Sequence, residues 1–202
     1  MYEKLKRTFD IFGSIFLLLI LLPILITIAL AIYFFNGKPI FFKQKRVGKH
    51  GFEFVLYKFR SMKPSKNTNN LGNIEEKESL ESARRRFKST SINDERITII
   101  GKFIRSFHLD ELPQLLNVIK GDMSIVGPRP DVIAQKADYT LRQWEMRNSM
   151  KPGITGLAQV SKIESTQQRI EYDLIYKHKS SFVFDTKILF LTCIKLFRNR
   201  SF

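Results

Sequence analysis

The sequence predicts a mixed α/β fold, mostly helical with a short β-hairpin or small sheet, joined to an N-terminal re-entrant membrane helix. Three features carry that prediction: a charge-free apolar run from Ile11 to Gly37, alternating Phe52, Phe54 and Leu56 behind a turn, and apolar residues at helical spacing from Phe103 onward. They divide the chain into an anchor over 1–37 and a membrane-associated domain over 38–202. A chain of 202 residues has room for one compact core beside the anchor, and so for one site.

Ile11 to Phe35 reads IFGSIFLLLILLPILITIALAIYFF, apolar on every face rather than along one stripe. The run passes through Tyr33, Phe34 and Phe35 into Asn36 and Gly37 without a small-residue cleavage signal, so it is expected to be retained. As a straight helix it would reach about 38 Å at ~1.5 Å per residue, enough to cross a hydrocarbon core of about 30 Å. Two features oppose a straight span. Lys4, Lys6 and Arg7 precede the run and Lys38, Lys43, Lys45, Arg46 and Lys49 follow it, so the cytoplasmic preference of basic flanks applies to both ends. Pro23 falls at the middle, where it removes a backbone donor and bends a helix. The residues alone weigh a re-entrant hairpin, returning to the face it entered, equally with a kinked span.

After the anchor, eight Lys or Arg between Lys38 and Lys63 face one acid, Glu53, a net +7 at the level of lipid headgroups. Across the chain, 34 basic residues against 19 acidic give +15, which asks for an anionic partner: lipid, a phosphorylated small molecule or nucleic acid. Cys193 alone excludes an internal disulfide, and His50, His108 and His178 are too scattered for a zinc site. Gly48 to Gly51 reads as the turn before the strand at Phe52. Pro64 to Ser89 reads as a solvated loop leading to a short exposed helix that ends in Arg84, Arg85 and Arg86, with no aromatic platform for RNA. Gly101 to Ile119 is expected to be an amphipathic helix interrupted near Pro113, Asp131 to Met150 a second helix, and Pro152 to Gly156 a loop. Asp185 is expected to cap a last helix whose Lys187, Lys195, Arg198 and Arg200 suit either the membrane interface or a plain core helix.

Chemistry concentrates in two stretches. In Leu109-Asp110-Glu111-Leu112-Pro113-Gln114 the proline places both carboxylates at a helix start, where unpaired N–H groups favour the ionised form by about 0.3 to 1 kcal/mol. An ionised Asp is a usable nucleophile toward phosphorus, although a helix-starting acid is most often only a cap. In Gly127-Pro128-Arg129-Pro130 a rigid turn holds one guanidinium between two prolines, suited to bidentate capture of a phosphate; an ordinary turn with a solvent-facing Arg explains the same residues.

Taken in order, the motifs resemble the bacterial sugar transferase family, the monotopic phosphoglycosyl transferases of small single-domain type, over nearly the whole chain. The matching elements are Lys6-Arg7 with Asp10, Pro23, Gln44 with Arg46 and Gly48, Lys58-Phe59-Arg60-Ser61-Met62, Arg96-Ile97-Thr98 with Gly101, and Leu109 to Gln114. They continue through Asn117-Val118, Gly121-Asp122-Met123-Ser124, Gly127 to Pro130, Lys151 to Val160, Tyr172-Asp173 and Asp185. The resemblance implies a membrane-associated catalytic domain on the cytoplasmic face of the inner membrane, with a re-entrant anchor kinked at the proline. It implies transfer of a sugar 1-phosphate from a UDP-sugar to undecaprenyl phosphate, with release of UMP and a covalent aspartyl-phosphosugar on Asp110, at the start of lipid-linked glycan or polysaccharide assembly. It also implies Mg²⁺ at Asp110 and Glu111, with Glu111 acting on the metal or on a proton of the lipid phosphate. Arg129, Arg105, Lys58 and Arg60 are the phosphate-binding residues this reading expects. Its partners are the UDP-sugar, undecaprenyl phosphate and membrane lipid, with no nucleic acid; a homodimer stays open.

One departure stands out: many relatives carry an Asn-Gly-Arg run after the position of Val160, whereas this chain has Ser161-Lys162-Ile163, which leaves nucleotide or sugar contacts there open. Two other readings compete. A membrane-tethered nucleic-acid binder explains the charge but leaves Asp110 and Glu111 idle. A catalytically silent adaptor of a polysaccharide-assembly complex is opposed by the intact motifs.

Overall fold

In the computed structural model, which describes residues 2–63 and 94–198, helix α1 (Tyr2–Asn36) is one unbroken element with Pro23 inside it. It is long and apolar enough to cross a membrane, and only 11% of its most apolar stretch is buried in the protein, so it is not a core helix. Its contact with the rest of the chain follows one stripe. Asp10, Ser14, Leu18, Leu21, Leu25, Ile28 and Ile32, three or four residues apart, are buried or half-buried, whereas Phe12, Phe16, Leu19, Ile20, Ile26, Leu30 and Phe34 are exposed.

Both ends of α1 are fastened to the same body. Near its start Lys6 Nζ reaches Asp185 at 2.5 Å, Arg7 donates to the carbonyls of Val118 and Ile119 at 2.6 and 2.8 Å, and Asp10 accepts from the Ile125 N–H at 2.9 Å. Near its end Ile28 and Ile32 share a core with Phe59 and Ile104, and Asn36 donates to Thr98 Oγ1 at 3.1 Å. Asp185 is thus not the cap the sequence suggested. It lies inside the first turn of the last helix, and its carboxylate is taken by Lys6, Tyr2 and Tyr176.

Strands β1 (Phe41–Val47) and β2 (Glu53–Phe59) form the expected hairpin, antiparallel from Phe41 opposite Phe59 to Val47 opposite Glu53. The connection needs left-handed backbone at His50 and Gly51, with φ of 58° and 81°. Helix α2 (Ile99–Ser106) is capped by Thr98, whose hydroxyl accepts from the Gly101 N–H at 2.9 Å. A single 3₁₀ turn over Leu109–Glu111 separates it from α3 (Gln114–Lys120). The predicted break near Pro113 is therefore wider than one residue. It opens at His108, held at φ 55°, and Pro113 serves as the residue before α3.

Two features were not foreseen. Strand β3 (Ser124–Val126) pairs in parallel with β4 (Gly153–Thr155), so the stretch read as a loop is in part a strand. Such short strands have too few residues to show alternation. The predicted helix over Asp131–Met150 is a 3₁₀ segment, Ile133–Asp138, followed by α4 (Leu141–Asn148), because Thr140 and Gln143 form a capping box that starts a new helix. Helices α5 (Leu157–Val160), α6 (Thr166–Lys179) and α7 (Phe182–Arg198) complete the chain. Ile188 of α7 is fully buried against Leu56, Val118, Met123 and Tyr176, while Phe190 and Ile194 stay exposed, so α7 serves the core on one face only. The loop and helix expected over 64–89 lie outside the described residues.

Candidate active site

The site is assembled from three places in the chain. The 3₁₀ turn after α2 supplies Asp110 and Glu111, β2 supplies Lys58, and the turn after β3 supplies Arg129. Asn117 of α3 sets the first two against each other. Fully buried, it donates from Nδ2 to the Val55 carbonyl at 2.7 Å and accepts from the Tyr57 N–H at 3.1 Å, so α3 is stitched to the strand one residue before Lys58.

Glu111 Oε1 receives both cations, Lys58 Nζ at 2.6 Å and Arg129 Nη2 at 2.9 Å. Burial alone would raise this carboxyl, but the charges of Arg129 and Lys58 overcome it and hold Glu111 down to about 2. Glu111 is ionised at every physiological pH. Asp110 is treated in the opposite way. It is 9% exposed, yet among the described residues no group donates a hydrogen bond to its carboxylate. The other buried carboxylates all have donors: Asp10 has the Ile125 N–H, Asp131 has Arg169 and Tyr139, Asp173 has Arg147, and Asp185 has Lys6.

Burial is the largest effect on Asp110 and pushes its carboxyl up; Lys58 and, more weakly, Arg105 and His108 pull it down, while the Glu111 charge pushes it up. The expectation that a helix start would favour the ionised form is corrected here, because Asp110 sits in the 3₁₀ turn ahead of α3 and is desolvated. Burial likewise lowers Lys58, with Glu111 opposing the shift.

The turn that carries Arg129 is braced from behind. Arg147, 2% exposed, bonds Asp131 at 3.1 Å and Asp173 at 2.9 Å and donates to the Arg129 carbonyl oxygen. Asp131 also takes Arg169 at 2.8 Å, so two guanidinium groups balance two carboxylates. From the other side Gly127 and Gly153 touch: a Cβ on Gly153 would lie 2.1 Å from the Gly127 nitrogen. The half-exposed Arg129 side chain therefore stands on a rigid base.

Of the residues predicted to bind phosphate, Lys58 and Arg129 meet at Glu111, and Arg105 lies within electrostatic reach of Asp110. Arg60 does not join them. Its guanidinium donates to the carbonyls of Asn36, Gly37 and Lys38 at 2.5, 2.6 and 2.9 Å, so it fastens the end of α1 instead of facing a ligand. Arg46 and Gln114, not predicted as site residues, line a recess together with Lys58, Arg129 and Pro130. Burial, then the charge of Arg129, push Arg46 down to about 10.

Residues 1–199 match the bacterial sugar transferase family. The chain belongs to that family. Among its relatives, a bacterial sugar transferase of Klebsiella pneumoniae named UDP-glucose:undecaprenyl-phosphate glucose-1-phosphate transferase is 39% identical over 97% of this chain. That alignment covers 41% of the relative, so this chain spans about two fifths of its length. The exopolysaccharide production protein PSS of Rhizobium leguminosarum is 38% identical, with 98% of each chain covered. The Bacillus subtilis uncharacterized sugar transferase EpsL is 41% identical over 95% of this chain and 87% of its own. At the carboxylate pair, Asp110 and Glu111 have the donor chemistry that a magnesium ion takes. Mg²⁺ takes one or two carboxylates and completes its shell with water and substrate phosphate oxygens. Asp110, a buried carboxylate without a donor, offers such a ligand, and Glu111 Oε2 accepts no hydrogen bond among the described residues.

Proposed function

We propose that this chain transfers a sugar 1-phosphate from a UDP-sugar to undecaprenyl phosphate, releasing UMP, with Asp110 as nucleophile. The observation that carries this reading is the contrast within the pair. Glu111 takes two cations on Oε1, while its buried neighbour has no donor among the described residues and a lone pair free to attack. An Asp110 oxygen forms a bond to the sugar-bearing phosphorus as the bond from that phosphorus to the UMP oxygen breaks. An oxygen of the lipid phosphate then attacks the same phosphorus and returns the Asp110 carboxylate. Lys58 and Arg129 stand where negative charge accumulates in both steps. Held at about 2, Glu111 is too weak a base to carry the proton and acts as a fixed negative charge that orients both cations. Mg²⁺, held by Asp110 and Glu111, would neutralise converging phosphate charge.

The same proposal places α1 as a re-entrant anchor over 1–37, with the catalytic part over 38–202 on the cytoplasmic face of the inner membrane. Support comes from the fastening of both ends to one body, by Lys6 and Arg7 at the start and by Asn36 and Arg60 at the end. The basic flanks on both sides agree.

Asp110→Asn is expected to abolish UMP release even without acceptor lipid, because the first step itself needs the carboxylate. A phosphosugar trapped on the wild-type chain and mapped by mass spectrometry to another residue overturns the assignment. Single cysteines near residues 3 and 40 should be labelled from the same side of the membrane; labelling from opposite sides refutes the re-entrant anchor.

A further inference from the structure

A second cavity, of about 480 Å³, opens between the first turns of α1 and the β3–β4 sheet, with α6 along one edge. Its walls carry Lys4, Lys6, Arg7, Lys49, Lys151 and Lys177, against Glu3 and Asp10. Asp10 offsets part of that charge, acting on Lys6, Arg7 and Lys151. Asp10 is bound by the Ile125 N–H, and Glu3, 80% exposed, is 3.6 Å from Lys49. Lys6 is held by Asp185 and Arg7 by two carbonyls, but the ammonium groups of Lys4, Lys151 and Lys177 make no hydrogen bond or ion pair among the described residues. Lys151 and Lys177 are also half-buried. Cations crowded together with fewer acids than bases favour an anion among them. Consistent with such crowding, burial and then the charge of Arg7 lower the Lys151 ammonium.

The rim of the cavity is apolar on the α1 side. One turn beyond the lining residue Lys6, Phe9 is exposed and packs edge-on at 5.6 Å against Phe182, two residues beyond the lining residue Ser180. A soluble anion would satisfy the lysines and leave these side chains in water. An amphiphile satisfies both, with its charge in the cavity and its chains along the aromatic wall.

We propose that this cavity binds the phosphate headgroup of an anionic glycerophospholipid, at a position distinct from Asp110 and Glu111. The inference rests on α1 lying in the bilayer interface and is independent of which residue attacks phosphorus. The bound lipid neutralises the cations where α1 enters the membrane and holds that end at headgroup depth.

The test uses the full chain in mild detergent, with bound lipid counted by native mass spectrometry during titration with phosphatidylglycerol, phosphatidylcholine or inorganic phosphate. One phosphatidylglycerol should be retained per chain, with about tenfold preference over phosphatidylcholine, and the Lys151→Gln/Lys177→Gln variant should lose most of that preference. Lys4→Gln/Lys177→Gln, which exchanges the half-buried Lys151 for the exposed Lys4, should show a smaller loss and guards against misfolding of the first variant. Undiminished preference in both variants overturns the proposal. So does displacement of the lipid by an equal concentration of inorganic phosphate, which would make the occupant a soluble anion. UMP release in phosphatidylcholine nanodiscs is read separately: its absence in the wild-type chain refutes the transferase reading and leaves the lipid count standing.

Discussion

Replacing Arg147 with Met removes the guanidinium that braces the Arg129 turn while keeping most of the buried volume. Asp131 keeps Arg169 and Tyr139, but Asp173 loses the hydrogen bond and ion pair that Arg147 provides, and the Arg129 carbonyl loses its donor. Breaking one side of a buried ion pair costs about 3 to 5 kcal/mol, because the remaining charge stays desolvated. For a chain of this size that is a fall in melting temperature on the order of 10 °C. The loss also has a signature in pH. Burial already raises the Asp173 carboxyl, and without Arg147, the largest opposing influence, it rises further. A group whose folded pKa lies above its unfolded value destabilises the fold at high pH and ceases to do so once protonated. The deficit of Arg147→Met should therefore be largest near neutral pH and shrink on acidification through the raised Asp173 pKa. Thermal unfolding in detergent, followed by circular dichroism from neutral to mildly acidic pH, reads both effects. Adding Asp173→Asn should recover part of the loss. A variant that melts within about 2 °C of wild type, or a double variant no better than the single one, refutes the account.

Three further outcomes follow from the same geometry. Glu111 lies at about 2 against an ordinary 4.5, so at neutral pH its pairing contributes about 3 kcal/mol, a contribution lost as pH falls from about 4.5 through about 2. The stability gap between wild type and Glu111→Gln should close over that window in a denaturant titration. The rate of UMP release should fall on the acid side with an apparent pKa above the ordinary 3.8 of Asp, because burial raises Asp110, and Arg105→Gln should move that limb to higher pH; a pH–rate profile of the first step checks both. Gly153→Ala would put a Cβ 2.1 Å from the Gly127 backbone nitrogen, so the β3–β4 pairing should be lost, with a melting temperature lower on the order of 10 °C and weakened UMP release.

Local signals were legible in the residues themselves. The charge-free run and its basic flanks marked α1, period-two spacing marked β2, and Thr98, Thr140 and Ser165 cap α2, α4 and α6 through hydroxyls whose positions can be read from sequence. The Thr140–Gln143 capping box is a signal of the same kind, and it divides a stretch whose helix formers alone suit one continuous helix. The motif around Asp110 and Glu111 marked the carboxylate pair where Lys58 and Arg129 converge, and the Gly-Pro-Arg-Pro turn marked a presented guanidinium.

The amino-acid order by itself determined which segment is long and apolar enough to cross a membrane and which residue types can do chemistry, since both depend on local composition. Which cations reach which carboxylate was decided only by tertiary packing. Lys58 and Arg60 are two residues apart and would share a face if the strand ran on, but β2 ends at Phe59, so Lys58 meets Glu111 while Arg60 turns to the end of α1. Asp110 and Glu111 are neighbours with opposite fates for the same reason. One carboxylate is aimed at Lys58 and Arg129, brought from elsewhere in the chain, and the other is buried without a donor. Desolvation and ion pairing depend on what surrounds a group in space, and that is set by the fold as a whole.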